Sequence, residues 1–203
     1  VKDGNLFSIG NDLALSFTYF VLLGQILKNF IRIPIRGIRL DPRFHFIWLQ
    51  TARTGKTAVW KYLNSIMEKV YSGINDLNLL DADFCQTFEV LEDSQTVQKM
   101  KLISGIAHWD EFEQSGIFTQ SKHKEEMMMI LQRFMNGLDS DSYKIRRKLS
   151  DSEKTFECDC QRTLYATSYV PKGFMKIIVN TGALQRAVVF VREVPEYKRR
   201  EMY

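Results

Sequence analysis

Cysteine, histidine and proline are scarce in this chain, whose 203 residues include three cysteines, three histidines and four prolines. The odd, sparse set of cysteines (Cys85, Cys158 and Cys160) argues against a disulfide framework and for free thiols in a reducing compartment. Because the histidines show no ligand spacing, we expect no structural metal site. The remaining composition, 45% hydrophobic and 26% charged, is that of an ordinary globular protein.

No apolar run is long enough to predict a membrane span. Residues 13–27 (LALSFTYFVLLGQIL) are uncharged and apolar, but a helix needs about 20 residues to cross a bilayer. The segment also lacks the basic leader and small-residue cleavage site of a secretory signal. We therefore expect a buried helix that begins at an Asn11/Asp12 N-cap, in a soluble, intracellular protein without membrane contact.

The positive charge is concentrated in the C-terminal third. Residues 141–203 carry thirteen Lys/Arg and eight Asp/Glu, a balance of +5, whereas residues 1–140 have a balance of −1. Such an excess is typical either of a solvated basic face or of a surface that meets a polyanion. Charge alone does not decide between the two.

Apolar strands and amphipathic helices alternate along the chain. Strands are predicted at 44–49, 85–90, 106–109 and 187–192, with two more in 143–168 around a polar turn at 150–154, and helices at 57–71, 94–103 and 122–135. This alternation predicts an α/β fold with a mainly parallel central sheet and helices on both faces. An extended connector at 31–43 ends a short N-terminal helical segment (1–43), and the main domain follows (44–203).

The segment Gln50–Thr57 (QTARTGKT) fits the phosphate-loop (P-loop) pattern except at its first glycine, where Gln50 stands. Gly55 lets the backbone approach a phosphate, Lys56 can reach the β- and γ-phosphate oxygens, and the Thr57 hydroxyl can ligate Mg²⁺. A strand before the loop and a helix after it are the context that such a loop requires. The sequence therefore predicts a P-loop NTPase that binds ATP and Mg²⁺ through Ala52, Arg53, Thr54, Gly55, Lys56 and Thr57.

A Walker B element is predicted at Ile106–Glu111 (IAHWDE), a short apolar strand that ends in adjacent carboxylates. Asp110 is expected to hold Mg²⁺ through water, and Glu111 is expected to polarise the attacking water. A strand that ends in two acids is a weak signal alone. Its position downstream of a phosphate loop makes it a specific one.

Two further candidates follow the Walker B element. The segment Thr163–Pro171 (TLYATSYVP) ends in polar Thr167 and Ser168, either of which suits a sensor of the γ-phosphate, and Ser168 is taken as the catalytic candidate. Arg186 stands just before the last predicted strand, where a guanidinium can stabilise charge on a transferring phosphoryl group. A surface ion pair is the alternative for Arg186.

The segment Tyr143–Phe156 (YKIRRKLSDSEKTF) reads as two alternating strands around a polar turn. Lys144, Arg146 and Lys148 alternate, so a strand places them on one face, where they suit the phosphates of a single strand of nucleic acid. The alternative is an exposed hairpin whose charges protect an edge from aggregation.

The order of these elements resembles a superfamily-3 helicase and related ATPase domains of viral and plasmid primase–helicase proteins. The resemblance is carried by QTARTGKT (50–57), IAHWDE (106–111), LYATSYVP (164–171) and ALQRAVVFVR (183–192). It implies an AAA+-like ATPase that assembles as a homo-oligomeric ring, commonly a hexamer, and translocates on single-stranded nucleic acid. DNA is the expected nucleic acid, and RNA is the alternative. It also implies that the sensor strand lies between the P-loop and Walker B strands, and that Arg186 acts as an arginine finger in the neighbouring subunit's site.

The sequence departs from this family in two places: Gln50 replaces the first P-loop glycine, and the sensor, usually Asn, is Thr167 or Ser168. The leading hypothesis is a Mg²⁺-dependent helicase or translocase ATPase that acts in replication of a virus or mobile element, in the cytoplasm or nucleus of the host. A loader, packaging or regulatory ATPase, or a binding module with an inactive nucleotide pocket, remains open.

Overall fold

A computed structural model describes residues 11–28, 30–70, 80–81, 88–94, 97–102, 105–114, 132, 135, 143–149, 152–158, 162–170 and 186–200. Its central element is a sheet with the strand order β11-β3-β10-β7-β4, in which every pair of neighbours is parallel. The strands are β3 (His45–Gln50), β4 (Leu80–Asp81), β7 (Gly105–Trp109), β10 (Arg162–Ser168) and β11 (Ala187–Arg192). This sheet confirms the predicted α/β class and its mainly parallel centre.

Strand β3 is an inner strand of the sheet, between β11 and β10, because it is apolar on both faces. All six of its residues are buried, and it pairs with β10 on one side and β11 on the other. A strand that reads as a continuous apolar run is typical of a parallel sheet that is covered on both faces. The strands predicted at 44–49, 106–109 and 187–192 are thereby confirmed to within one residue at each end.

The two long helices, α1 (Asp12–Leu27) and α2 (Lys56–Val70), pack on the same face of the sheet. The ring of Phe17 in α1 lies 5.4 Å from that of Phe46, and Trp60 in α2 stacks on Tyr165 at 4.6 Å. Phe46 and Tyr165 are partners in the register of β3 and β10, so both project from one face. Both α1 and α2 cover the face of the sheet that carries Phe46 and Tyr165. Helices on the opposite face stay a prediction.

Helix α1 packs on the main domain as predicted, but it is buried on one face only, since Leu13, Tyr19, Phe20 and Leu23 are 47–55% exposed. The hydroxyls of Thr18 and Tyr165 lie 3.2 Å apart in the core, and Gly24 passes the connector so closely that an added Cβ would stand 2.4 Å from the Pro42 carbonyl oxygen. Asn11 precedes the helix as predicted, but its side chain makes no capping hydrogen bond. The amide is instead used in contacts with the loop that follows β3.

A second sheet has the order β5-β6-β9-β8 and consists of two antiparallel hairpins joined by a parallel β6–β9 pair. Its strands are β5 (Phe88–Ser94), β6 (Val97–Leu102), β8 (Tyr143–Leu149) and β9 (Ser152–Cys158). The hairpin predicted at 143–156 is confirmed, although β9 begins inside the predicted turn at 150–154, and β5 overlaps the strand predicted at 85–90. The prediction of two strands in 143–168 is wrong, because that segment forms a third strand, β10, which belongs to the central sheet. The helix predicted at 94–103 is wrong, because Lys99, Met100, Lys101 and Leu102 alternate polar and apolar as a strand does.

The remaining elements are short. The extended connector contains a small hairpin of β1 (Ile33–Ile35) and β2 (Ile38–Leu40), a 3₁₀ helix spans Phe112–Gln114, and α3 spans Glu196–Arg200. The helix predicted at 122–135 lies outside the described residues apart from 132 and 135. Within the described ranges, no helix is long and apolar enough to cross a membrane.

Candidate functional site at the carboxyl edge of the sheet

The carboxyl ends of β3, β10 and β7 bring three predicted motifs together. Strand β10 pairs with β3 on one side and with β7 on the other, so its polar end lies between the loop after Gln50 and the acids after Trp109. Ligands of open parallel sheets bind at this edge, where loops leave the strands. Strand β10 therefore lies between the strand that precedes the Gln50–Thr57 loop and the strand that precedes Asp110.

The loop between β3 and α2 has two residues in the left-handed backbone region. Gly55 has φ +80°, which only glycine adopts without strain, and Arg53 has φ +59°. Helix α2 begins immediately afterwards at Lys56. Turns of this kind aim successive backbone N–H groups at one point, and a helix N-terminus adds partial positive charge, so the loop suits an anion.

The ammonium of Lys56 folds back across this loop. It donates to the carbonyl oxygens of Gln50 at 2.8 Å and Thr51 at 3.2 Å. Burial lowers the pKa of Lys56, and the nearby carboxylates of Asp110 and Glu113 oppose that shift without cancelling it. The cation is thus held over the loop with carbonyl partners that a phosphate can replace.

Three motifs meet at the carboxylate of Asp110. The Thr57 hydroxyl donates to one of its oxygens at 2.9 Å, and the Thr167 hydroxyl donates to the other at 2.6 Å. Partial burial raises the pKa of Asp110, but the hydrogen bonds from Thr167 and Thr57 and the charge of His108 outweigh it, and the net shift is downward. Asp110 is therefore ionised at neutral pH.

The Thr57 hydroxyl and the Asp110 carboxylate fit a magnesium ion that is held by few protein ligands. Both donors are hard oxygens, which Mg²⁺ prefers, and it commonly completes its shell with water and substrate phosphates. Among the described residues there is no cluster of three or more His, Cys, Asp or Glu that could hold a metal by itself. The donor set thus suits Mg²⁺ that arrives with a nucleotide.

The three acids after β7 have different surroundings. Asp110 contacts the two threonines, whereas Glu111 is exposed with φ +52°. Glu113 is only 8% exposed, and its carboxylate accepts a hydrogen bond from the Ser168 hydroxyl. The two sensor candidates thus divide: Thr167 contacts Asp110, and Ser168 contacts Glu113, a residue that the sequence analysis missed.

Gln50, which stands where the P-loop pattern has a glycine, is fully buried. Its side chain accepts from Trp48 Nε1 at 2.7 Å and donates to the Asn11 side chain at 3.0 Å. Asn11 in turn donates to the Thr54 carbonyl at 3.1 Å. Gln50 is not among the residues of positive φ, so the backbone does not require glycine there.

Arg186 lies at the amino ends of the strands, whereas the Gln50–Thr57 loop of the same chain lies at their carboxyl ends. It precedes Ala187, whose register partner is His45 at the start of β3, whereas the loop follows Gln50 at the end of β3. Five residues of strand separate the two edges by about 17 Å, beyond the reach of one side chain. A contribution of Arg186 to its own site is therefore excluded, and its predicted role in a neighbouring subunit stays a prediction.

The register of the β8–β9 hairpin sets acids opposite two of the three predicted basic residues. Lys144 pairs with Glu157 and Lys148 pairs with Glu153, while Arg146 pairs with Thr155. Directly opposed residues of an antiparallel pair share a face. The backbone thus gives this row less net positive charge than β8 alone predicts.

No protein-family model matches this chain, and a search of curated proteins found no significant match.

Proposed function

We propose that this chain is a Mg²⁺-dependent ATPase domain whose site lies at the carboxyl edge of β3, β10 and β7. The observation that carries the proposal is the convergence of Thr57 and Thr167 on Asp110. These residues come from three segments far apart in sequence, and each segment carries side chains that suit phosphate or magnesium chemistry. A chance Gly-Lys-Thr turn would not bring the other two segments with it.

The residues of the site have complementary roles in this proposal. The backbone N–H groups of the loop and the N-terminus of α2 bind the phosphates. Lys56 exchanges the Gln50 and Thr51 carbonyls for β- and γ-phosphate oxygens. Thr57 and Asp110 would hold Mg²⁺, which would supply neutralisation of phosphate charge. Thr167 fixes the orientation of the Asp110 carboxylate, because it donates to the oxygen that Thr57 does not use.

The superfamily-3-like helicase type is the finer part of the proposal. It rests on the motif order and on the sensor strand, which lies between the P-loop and Walker B strands. The position of Arg186, across the sheet from its own loop, agrees with a finger that acts between subunits of a ring. In this proposal single-stranded nucleic acid, DNA in the first instance, is the partner that stimulates turnover.

The test is ATP hydrolysis by the purified chain with and without single-stranded DNA, alongside its mass by light scattering. We expect hydrolysis that requires Mg²⁺, is stimulated by the DNA and accompanies a ring-sized mass. Lys56→Ala is the matched control, because it removes the main positive charge that faces the phosphates and should abolish turnover. Turnover that survives Lys56→Ala would refute the P-loop assignment, and binding without hydrolysis would favour an inactive nucleotide module.

ATP hydrolysis without any response to single-stranded DNA or RNA would separate the two levels of the proposal. It would retain the ATPase and favour a loader, packaging or regulatory enzyme over a helicase.

A further inference from the structure

The backbone after β7 buries one glutamate and exposes another. Asp110 and Glu111 form a turn in which Glu111 takes φ +52°, and the 3₁₀ helix Phe112–Gln114 follows at once. Phe112 is 1% exposed, and its ring packs edge-on against Trp109 at 5.1 Å. Burial of this ring draws Glu113 inward against the end of β10, while Glu111 stays on the outside of the turn.

Glu113 is held at the site by polar contacts rather than packing alone. The Ser168 hydroxyl oxygen lies within hydrogen-bond distance of both the Glu113 carboxylate and the Tyr169 carbonyl oxygen, the latter at 2.6 Å, so the two acceptors share its one proton. Ser168 directly follows Thr167, which contacts the Asp110 carboxylate. A carboxylate that is 8% exposed is costly unless its charge is compensated. The ammonium of Lys56 lies near enough for the negative charge of Glu113 to raise the pKa of that lysine against the effect of burial.

Hydrolysis of ATP requires a group that can accept a proton from the attacking water, and a carboxylate near Lys56 is suited to this role. A general base must lie within hydrogen-bond reach of the attacking water, and closed active sites separate that water from bulk solvent. Of the two glutamates after Asp110, Glu113 is the buried one, and it is the one whose charge acts on the pKa of Lys56. The side chain of Glu111 is exposed. Glu111 contacts the site through its backbone N–H, which donates to the Asp110 carboxylate at 3.1 Å.

We infer that Glu113, rather than Glu111, is the catalytic base of this site, and that Ser168 is the residue that positions it. The inference rests on the proposed ATPase function. The water oxygen forms a bond to the γ-phosphorus while the bond from that phosphorus to the β,γ-bridging oxygen of ADP breaks. One water proton passes to the Glu113 carboxylate and afterwards to solvent, and ADP and inorganic phosphate leave.

The experiment compares Glu113→Gln with Glu111→Gln in the same chain. Glutamine keeps the size of the side chain and its ability to accept from Ser168, but it is not a base. We expect Glu113→Gln to lower kcat by about 100-fold or more, the usual contribution of a general base. Binding of a fluorescent ATP analogue and the thermal unfolding midpoint should stay close to the wild type, and Glu111→Gln should keep turnover within about threefold of it.

Glu113→Asp serves where Glu113→Gln does not fold. It retains the charge but withdraws the carboxylate, so we expect at least about a tenfold loss of kcat with ATP binding retained. Wild-type kcat in a folded Glu113→Gln or Glu113→Asp protein would overturn the inference, as would loss of turnover in Glu111→Gln alone. Neither result would contradict the proposed ATPase function. That proposal fails only if the wild type does not hydrolyse ATP, or if Lys56→Ala hydrolyses it equally well.

Discussion

The side-chain amide of Gln50 donates a hydrogen bond of 3.0 Å to the side-chain oxygen of Asn11, and both residues are at most 1% exposed. The side-chain amide of Asn11 in turn donates a hydrogen bond to the Thr54 carbonyl oxygen, in the middle of the Gln50–Thr57 loop. The start of helix α1 is therefore fixed to the loop through two buried amides. The position at which the P-loop pattern has glycine carries a polar bridge in this protein.

We predict that Gln50→Gly, which restores the P-loop pattern, weakens the protein instead of improving it. The substitution removes the acceptor for Trp48 Nε1 and the donor to Asn11. An unsatisfied buried polar group costs about 1–3 kcal/mol. The free energy of unfolding, measured in urea, should fall by roughly 2 kcal/mol or more, and ATP affinity should not rise.

Gln50→Met is the matched control for this prediction, because it keeps the length of the side chain and lacks the amide. We expect it to lose about as much stability as Gln50→Gly, since both leave the same groups unpaired. A Gln50→Gly protein that is as stable as the wild type and binds ATP more tightly would contradict the bridge.

Asp110→Asn should raise the Mg²⁺ concentration needed for half-maximal turnover. The asparagine keeps the shape of the side chain but lacks the negative charge that attracts the cation. We expect an increase of about tenfold or more, equivalent to about 1.4 kcal/mol, in a Mg²⁺ titration at saturating ATP. Thr167→Val, which removes one hydrogen bond to Asp110 and leaves its charge, should shift the titration less. Equal Mg²⁺ requirements in wild type and Asp110→Asn would place the metal elsewhere.

His45 should make the protein sensitive to acid. Burial first, and then the charge of Arg43, lower its pKa from 6.5 to about 3, and its Nδ1 accepts the backbone N–H of Leu164 at 3.0 Å. The folded state therefore binds fewer protons than the unfolded state between these two values. The stability that neutral His45 contributes is complete above pH 6.5 and is lost as the pH falls toward 3.

The measurement is urea unfolding between pH 7 and pH 4.5 for the wild type and His45→Asn, in which an amide oxygen can accept from Leu164. One proton changes the free energy of unfolding by up to about 1.4 kcal/mol per pH unit. We expect the wild type to lose stability more steeply than His45→Asn in this range. Parallel pH profiles would show that His45 is not the titrating group.

Replacement of Lys144, Arg146 and Lys148 by alanine should lower the affinity for single-stranded DNA and flatten its salt dependence, with basal ATPase unchanged. Each lost phosphate contact lowers the slope of log K against log salt by about 0.7 for a single strand. Since Glu157 and Glu153 oppose two of these residues, we expect the slope to change by less than three full contacts. The control is Arg147→Ala with Lys154→Ala, which are opposed on the other face. If the control lowers the affinity for single-stranded DNA more than the triple variant does, the DNA binds the other face of the hairpin.

The central strands were predictable because their signals are local. FHFIWL and AVVFVR are apolar runs next to turns, and β3 and β11 lie within one residue of the expected positions. The helix expected at 94–103 is wrong, because strand β6 occupies residues 97–102. Its alternation, and its partner strands β5 and β9, are what make it a strand.

The site was predictable as a set of motifs but not in its contacts. The sequence selects both Thr167 and Ser168, and only the pleat of β10 directs the first toward Asp110 and the second toward Glu113. Glu113 was missed because its burial depends on a left-handed turn at Glu111. The one local signal is Phe112, an apolar residue that must be buried and that brings its neighbour inward.

The position of β11 beside β3 has a consequence for the order of events in folding. The phosphate loop is also tied to the segment after β11, since the Val194 N–H donates to the Thr51 hydroxyl at 3.0 Å. A nascent chain that ends before this strand leaves β3, with its four apolar or aromatic residues from Phe46 to Leu49, as an open sheet edge that is prone to pair with other chains. Contacts between such distant segments form slowly. The loop Gln50–Thr57, which lies in the first third of the chain, therefore has all of its described contacts only after β11 and the residues that follow it have been synthesised.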